Sequence, residues 1–255
     1  MSLLEERLVT DLYVRTDGIL PTDAAAQVHA NLRAILGSWA SRASVRLTRL
    51  SDPAAIRPVV AQLNLAAPHG PVRAQVAAAT TSEAVLRLAA RTHTQLQLLP
   101  GLSGRGRPRP VTLARSWWPE LLRPPAERRL SRTKRCMPET CTVDTAIRRL
   151  EALDREFHFF HESVSRQDCL LERIGPASYR LHLCRPATPG ILPSTATPVT
   201  VLHHPAPILS VPVAVAQLAL TGRPFLFFAD PLSRRGRLLY LRYDGDYALI
   251  RPATP

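Results

Sequence analysis

Lysine is all but missing from this chain: Lys134 is the only one, so a formal net charge of +13 rests on arginine. A GC-rich genome produces that bias as readily as chemistry does, and it is the sign of the charge that carries information. No uninterrupted apolar run reaches the roughly 20 residues of a membrane-spanning helix. The opening "MSLLEERLVT" turns acidic at Glu5 and Glu6, where a secretory signal needs an apolar stretch. A cytoplasmic location with no membrane partner is expected. Cysteine is scarce, and Cys136, Cys141, Cys169 and Cys184 are spaced irregularly, which suits reduced thiols better than a secreted disulfide framework. A C-x4-C pair without a matching second pair is also poor zinc spacing, so no metal site is expected. Phosphate-cradling glycine loops, nucleophile elbows and paired carboxylates are missing too. Those absences argue against an enzyme and leave no cofactor or small-molecule substrate to expect.

What is present is a soluble composition, 45% hydrophobic and 21% charged over 255 residues, long enough for more than one core. The charge is uneven. By segment the net values are +3 for residues 1–100, +7 for 101–141, −1 for 142–184 and +4 for 185–255. The most basic stretch begins "GLSGRGRPRPVTLARSWWPE", and its Gly, Pro and Arg content predicts a flexible connector over 101–141 rather than a packed core. Its Arg105, Arg107 and Arg109 are candidate contacts to a polyanion, and Trp117 and Trp118 could stack on bases or pack on a neighbouring domain.

Residues 1–100 read as a β-α-β-β-β-α domain. "RLVTDLYV" opens it as a strand; Pro21, Thr22 and Asp23 supply helix-start chemistry, and Val28, Leu32, Ile35 and Leu36 recur at helical spacing to about Trp39. Three alternating stretches follow, "SVRLT", "VVAQLNL" and "VRAQVAA". Their alternation puts Arg46, Gln62, Asn64, Arg73 and Gln75 on one sheet face and leaves the other for two helices. The second helix is expected to begin at Ser82 and to end before Pro100 and Gly101. It carries Arg87, Arg91 and Gln95 at i, i+4 and i+8, and the first helix carries His29 and Arg33 four apart. With Arg42, Arg46 and Arg73 these residues make a candidate phosphate-binding surface.

The rest of the chain repeats itself. Sliding the C-terminal segment back by 68 positions aligns residues 142–183 with 210–251 without a gap. The matches include Val143/Val211, Ala146/Ala214, Leu150/Leu218, Phe157/Phe225, Phe159/Phe227, Phe160/Phe228, Ser165/Ser233, Arg166/Arg234 and Tyr179/Tyr247. Each copy reads as a helix followed by three strands, with an F-x-F-F strand, a basic turn and a hairpin. Asp244-Gly245 is a strong hairpin signal in the second copy, because type I′ turns need positive φ; the first copy has Gly175-Pro176-Ala177 there and must turn differently. Units this short rarely bury enough surface alone. The phenylalanine strand is apolar on both pleat faces, so one face can meet the unit's own helix while the other needs a partner. Phe157, Phe159, Phe225 and Phe227 are the candidate pairing residues. His158 and His161, flanking that strand, are expected at the surface, and His203 and His204 sit in a Pro-rich linker.

The C-terminal "PFLFFADPLSRRGRLLYLRYDGDYALIRP" is similar in order and spacing to the dimerisation domain of the long-form ribosome hibernation promoting factors, also described as sigma-54 modulation or ribosome-associated inhibitor proteins. Residues 1–100 resemble that family's ribosome-binding domain by element order. Arg91, Gln95 and Leu96 fit its pattern near the end of the second helix, although its usual lysines are missing. The duplicated C-terminal unit especially resembles the actinobacterial, dormancy-associated branch. The resemblance implies an N-domain that docks on the small ribosomal subunit and its 16S rRNA, covers the decoding region and stops translation under stress or dormancy. The expected layout is thus α+β: a ribosome-binding domain over 1–100 with two helices on one sheet face, a linker over 101–141, a first repeat over 142–184, a Pro-rich linker over 185–209 and a second repeat over 210–255. Pairing of the two α-β-β-β units within one chain would make a monomer with an internal pseudo-dimer and disfavour 100S ribosome dimers. A general nucleic-acid-binding regulator and a protein-interaction adaptor are the alternatives.

Overall fold

The computed structural model describes residues 11–37, 42–51, 57–67, 70–97, 124, 127–175, 177–187, 195–242 and 245–253. They fall into two compact units, one drawn from residues 1–121 with 151–154 and the other from residues 122–150 with 155–255. The architecture is mixed α+β, as the sequence predicts.

The first unit runs β1 (Asp11–Asp17), α1 (Ala24–Leu36), β2 (Arg42–Arg49), β3 (Val59–Ala67), β4 (Gly70–Ala78) and α2 (Thr81–Gln97). Its sheet has the order β1-β2-β3-β4. β1 and β2 are parallel, so α1 serves as the crossover between them, and the other pairs are antiparallel. Strand alternation sends Val45, Leu47, Ala61, Leu63, Leu65, Val72 and Ala74 to one face, where Val28, Leu32 and Leu36 of α1 and Val85 and Leu88 of α2 cover them. The helix start lies one residue before Ser82. Thr80 Oγ1 accepts the Glu83 amide at 3.2 Å, an N-cap that satisfies an amide the helix cannot pair internally, and a Glu83 carboxylate oxygen accepts the Ala79 amide just ahead of the helix at 3.1 Å.

The second unit contains both copies apart from residues 151–154 of the first. The first runs α3 (Val143–Ala152), β7 (Phe157–Glu162), β8 (Gln167–Gly175) and β9 (Ser178–Leu183); the second runs α4 (Val211–Thr221), β11 (Phe225–Ala229), β12 (Gly236–Leu241) and β13 (Tyr247–Pro252). Backbone geometry repeats with the sequence. Among the described residues of the two copies, positive φ occurs at Asp154, Arg166 and Ala177 and again at Gly222, Arg234 and Gly245, each 68 positions later. Gly222 ends α4 in the left-handed conformation, its amide bonded to the Leu218 carbonyl. Ala177 occupies the left-handed turn position that glycine holds in the second copy, which is how the first hairpin closes without an Asp-Gly pair.

Three strands lie where the sequence predicts linkers. β5 (Leu130–Cys136) and β6 (Thr140–Cys141) fall within the expected connector, and β10 (Val199–Val201) falls within the Pro-rich segment. β5 joins the sheet of the second copy, parallel to β13, and β10 joins the sheet of the first, parallel to β9. The two sheets are therefore β10-β9-β8-β7-β6 and β11-β12-β13-β5. β5 and β10 occupy corresponding places ahead of their copies, and each extends the sheet of the other. The same correspondence joins β6 to the bridge between Ile208 and Ala229: the His161 amide donates to the Glu139 carbonyl at 2.9 Å, and the Ala229 amide, 68 positions on, donates to the Pro207 carbonyl at 2.8 Å. The duplicated unit thus begins upstream of its helix. Ladder hydrogen bonds need no apolar side chain, so the basic "LSRTKRC" can form an edge strand whose charges discourage further pairing.

Phe160 and Phe228 are fully buried at equivalent positions on the helix-covered sheet faces, each within its own copy's core. Truncating either to alanine should destabilise the second unit by about 3–5 kcal/mol, measured as a shift in urea unfolding followed by exchange of that unit's amides.

Candidate functional site

The first candidate surface is in the N-terminal unit. In register, Arg15, Arg46, Gln62 and Gln75 form one row across the open sheet face, and Tyr13, Ser44, Asn64 and Arg73 form the next. Arg42 extends the face beside Asp11. Arg42 and Arg46 are exposed and Arg73 is half-buried. Arg46 donates from Nε to Asp17 at 2.7 Å, and Arg73 donates to the Gln62 side chain at 2.9 Å and also to Gln75. The guanidinium groups are thereby held against the sheet. Tyr13, 67% exposed, and Arg15 share this face; their alternation in "DLYVRTD" was the available signal, and sequence reasoning did not assign them a role.

His29, Arg33, Arg87, Arg91 and Gln95 do not join that face. They belong to α1 and α2, which cover the opposite side of the sheet, so the single surface expected from sequence divides into a sheet group and a helix group. Arg33 and Arg87 are exposed, His29 and Arg91 are half-buried, and Gln95 is buried at 2% exposure. Arg87 pairs with Glu83 at 2.6 Å and reaches the Ala77 carbonyl at 3.3 Å. The loss of Gln95 from the stripe has a geometric cause. Four residues advance a helix by about 400°, so a stripe at i, i+4, i+8 swings about 80° around the axis, here from solvent into the core. Arg105, Arg107 and Arg109 lie outside the described residues.

The second candidate site is the junction of the two copies. Strand alternation that sends Phe160 and Phe228 to their own helices sends Phe157, Phe159, Phe225 and Phe227 to the other face, where they form one cluster with Leu170, Leu238 and Tyr240. Equivalent residues meet: the Phe157 and Phe225 rings lie 5.3 Å apart and those of Phe159 and Phe227 6.0 Å apart, both tilted. A contact in which each residue faces its own counterpart has two-fold character. Beside the rings, Asp168 of the first copy reaches the second: Oδ2 accepts from Arg235 Nε at 2.7 Å and from the Gly236 amide at 2.8 Å, while Oδ1 accepts from Arg235 Nη2 at 3.2 Å and lies 3.0 Å from His161 Nδ1. Burial raises the Asp168 carboxyl, but the hydrogen bonds from Arg235, His161 and Gly236 outweigh it and hold the group below its ordinary value.

The turns flanking the junction repeat one device. Glu162 Oε2 accepts from the Val164 and Ser165 amides and the Ser165 hydroxyl, and Asp230 Oδ1 accepts from the Leu232 and Ser233 amides and the Ser233 hydroxyl. A glutamate and an aspartate 68 positions apart thus do the same work, a similarity hidden from identity matching. His158, expected at the surface, is buried and stacks on Phe160 at 5.9 Å; burial, and then Arg155, lower its pKa to about 4. Cys136, Cys141, Cys169 and Cys184 form no disulfide. Burial pushes the Cys141 and Cys184 thiols up to about 11 and raises the other two, so none is activated. Among the described residues, no group of His, Cys, Asp or Glu could hold a metal ion, and no helix is long and apolar enough to cross a membrane.

Comparison with known proteins places this arrangement. No family model matches the chain. Over 229 residues it is 34% identical to the dormancy associated translation inhibitor of Mycobacterium tuberculosis strain CDC 1551, covering 82% of this chain and 76% of that one. The protein of the same description from strain H37Rv matches equally. The N-terminal domain of Thermus thermophilus Protein Y is similar at 22% identity with a TM-score of 0.27, over 35% of this chain and 94% of its own. The chain belongs to the family of the mycobacterial dormancy associated translation inhibitor.

Because the folded-state pKa of Asp168 is depressed, its contribution to stability is present above the unfolded-state value near 3.9 and is lost as pH falls through the folded-state value. Asp168→Asn should lower the urea midpoint of the second unit at pH 7 and leave it less dependent on pH between about 5 and 2. Equal pH dependence in both proteins would remove Asp168 as the source.

Proposed function

We propose that this protein is a ribosome hibernation factor: its N-terminal unit binds the small ribosomal subunit at the decoding region, excludes mRNA and tRNA, and preserves inactive 70S ribosomes under stress or dormancy. The observation that carries the reading is kinship, over 82% of the chain, with proteins named for translation inhibition in dormancy. The N-terminal unit supports it with an open sheet face bearing Arg15, Arg42, Arg46 and Arg73. Guanidinium groups fixed on a folded surface suit rRNA phosphates, which reward displacement of their counterions and are recognised largely by shape. The action is occlusion, needs no catalytic step, and is exerted in the cytoplasm where ribosomes are. The arginines of the connector, Arg105, Arg107 and Arg109, add attraction to rRNA.

The two C-terminal copies pair within one polypeptide in this proposal, giving a monomer whose junction is already filled and which does not bridge two ribosomes into 100S particles. The ring pairs Phe157–Phe225 and Phe159–Phe227 support it, as does the reciprocal placement of β5 and β10.

The test is sucrose-gradient sedimentation of purified 70S ribosomes with the protein at fixed physiological salt, against an equal mass of duplex DNA. Cosedimentation with 70S and no faster peak is expected. A 100S peak would overturn self-pairing, and protein left at the top, or bound equally to DNA, would return the general nucleic-acid-binding and adaptor alternatives. Replacing Arg42, Arg46 and Arg73 with alanine should weaken ribosome binding and reduce the slope of log affinity against log salt by about 1 for each phosphate no longer neutralised. An unchanged slope would move the phosphate-binding role to the helix group.

A further inference from the structure

At the centre of the junction the copies carry different residues, and the difference is directional. Equivalent positions face each other there, yet the first copy has Gln167-Asp168 where the second has Arg235-Gly236. Asp168 is 2% exposed, and its carboxylate is held by Arg235 and the Gly236 amide. Gly236 leaves no room for a larger residue: a Cβ there would sit 2.9 Å from the Asp168 Cβ and 2.9 Å from Cε2 of Phe227. The close approach of Asp168 therefore requires glycine opposite, and its charge requires the neighbouring arginine.

We infer that the junction is keyed: the Asp168 side chain of a first copy fits a socket that only the Arg235–Gly236 step of a second copy supplies, so each copy selects its opposite and rejects its like. Two first copies would bring two Asp168 carboxylates together at one buried place, with no arginine to answer them and with Cβ atoms in collision. Two second copies would leave both Arg235 groups without a carboxylate. Like charges, collisions and unpaired charges are the usual means by which an interface excludes wrong partners, and of the two residues Asp168 is the buried one while the Arg235 side chain is 39% exposed. The recognised partner is thus a first copy. That it comes from the same chain rests on the self-pairing proposed above, since the tether through residues 185–209 raises its effective concentration over that of any free molecule.

The key can be transposed. In the full-length protein, Gln167→Arg with Asp168→Gly gives both copies the socket, and Arg235→Gln with Gly236→Asp gives both copies the key. All four changes together exchange key and socket. Sedimentation velocity across a concentration series, with hydrogen exchange of residues 157–162 and 225–229, reads the result, and exchange of β3 in the N-terminal unit serves as the internal control. The wild type and the transposed protein should be concentration-independent monomers with both strands protected. Each half-exchanged protein should lose about tenfold or more of that protection in both strands. The key is overturned if the half-exchanged proteins behave as wild type, or if the transposed protein is no better than they are; recovery on transposition separates a key from simple packing damage. A wild type that sediments as a dimer would overturn self-pairing alone, while the half-exchanged proteins would still decide the key. Ribosome binding is not the readout, so the translation reading stands or falls separately.

Discussion

Everything in the second unit depends on one constraint: a sheet that is apolar on both faces and owns one helix must find a cover for the other face. Each copy uses its helix to cover Phe160 or Phe228 and is left with two phenylalanines exposed to the next layer. Burying such a side chain is worth about 1.5–3 kcal/mol, and a unit this short has little other core to draw on. A second copy of the same unit is the simplest cover, because a surface that fits its own duplicate needs no separate evolution of a partner. The observed ring pairs between equivalent positions are what that solution looks like when it is built into one chain.

Duplication also frees the two halves to diverge. Two identical chains in a symmetric dimer are forced to carry the same residue on both sides of the axis, so a carboxylate there meets a carboxylate. A tandem pair escapes the restriction, and Asp168 opposite Gly236 is an arrangement symmetric chains cannot hold on both sides. The divergence extends to the helices. α3 presents Asp144, Arg148 and Arg149 outward, whereas the corresponding outer positions of α4 are Pro212, Ala216 and Gln217, with Val213 and Leu220 also exposed.

How much of this was legible in the sequence follows from what each feature needs. Cores need apolar side chains at a fixed period, so the described helices, the element order of the N-terminal unit, and the two roles of the phenylalanine strand could all be read from residue type. Strands held only by backbone hydrogen bonds leave no such mark. β5 and β10 share no residue identity across the 68-position offset, and "LSRTKRC" looked like a solvated connector because its side chains are solvated even as its backbone is paired. The two acidic turns were hidden for another reason: Glu162 and Asp230 differ in type but deliver an oxygen to equivalent amides, those of Ser165 and Ser233. Gln95 leaves the polar stripe because four-residue spacing follows one helix face only briefly, and over two turns the drift is already large. The Asp168 socket was beyond sequence altogether, since it joins positions whose proximity depends on the strand pairings being known.

The exchange of β5 and β10 bears on the proposed function through topology. In a unit closed by its own strands, separation of the two copies would break only the phenylalanine junction. Here each copy's sheet is completed by a segment that precedes the other, so opening the pair also strips an edge strand from both sheets. Opening then disrupts an apolar junction, a buried carboxylate and two ladders together, and such coupled losses make separation cooperative. If the proposed self-pairing holds, that architecture leaves no low-energy route from self-paired monomer to bridging dimer, because the surface that would bridge is released only when both copies are partly dismantled. The same cooperativity makes the pair of copies open and close as one body rather than as two independent repeats.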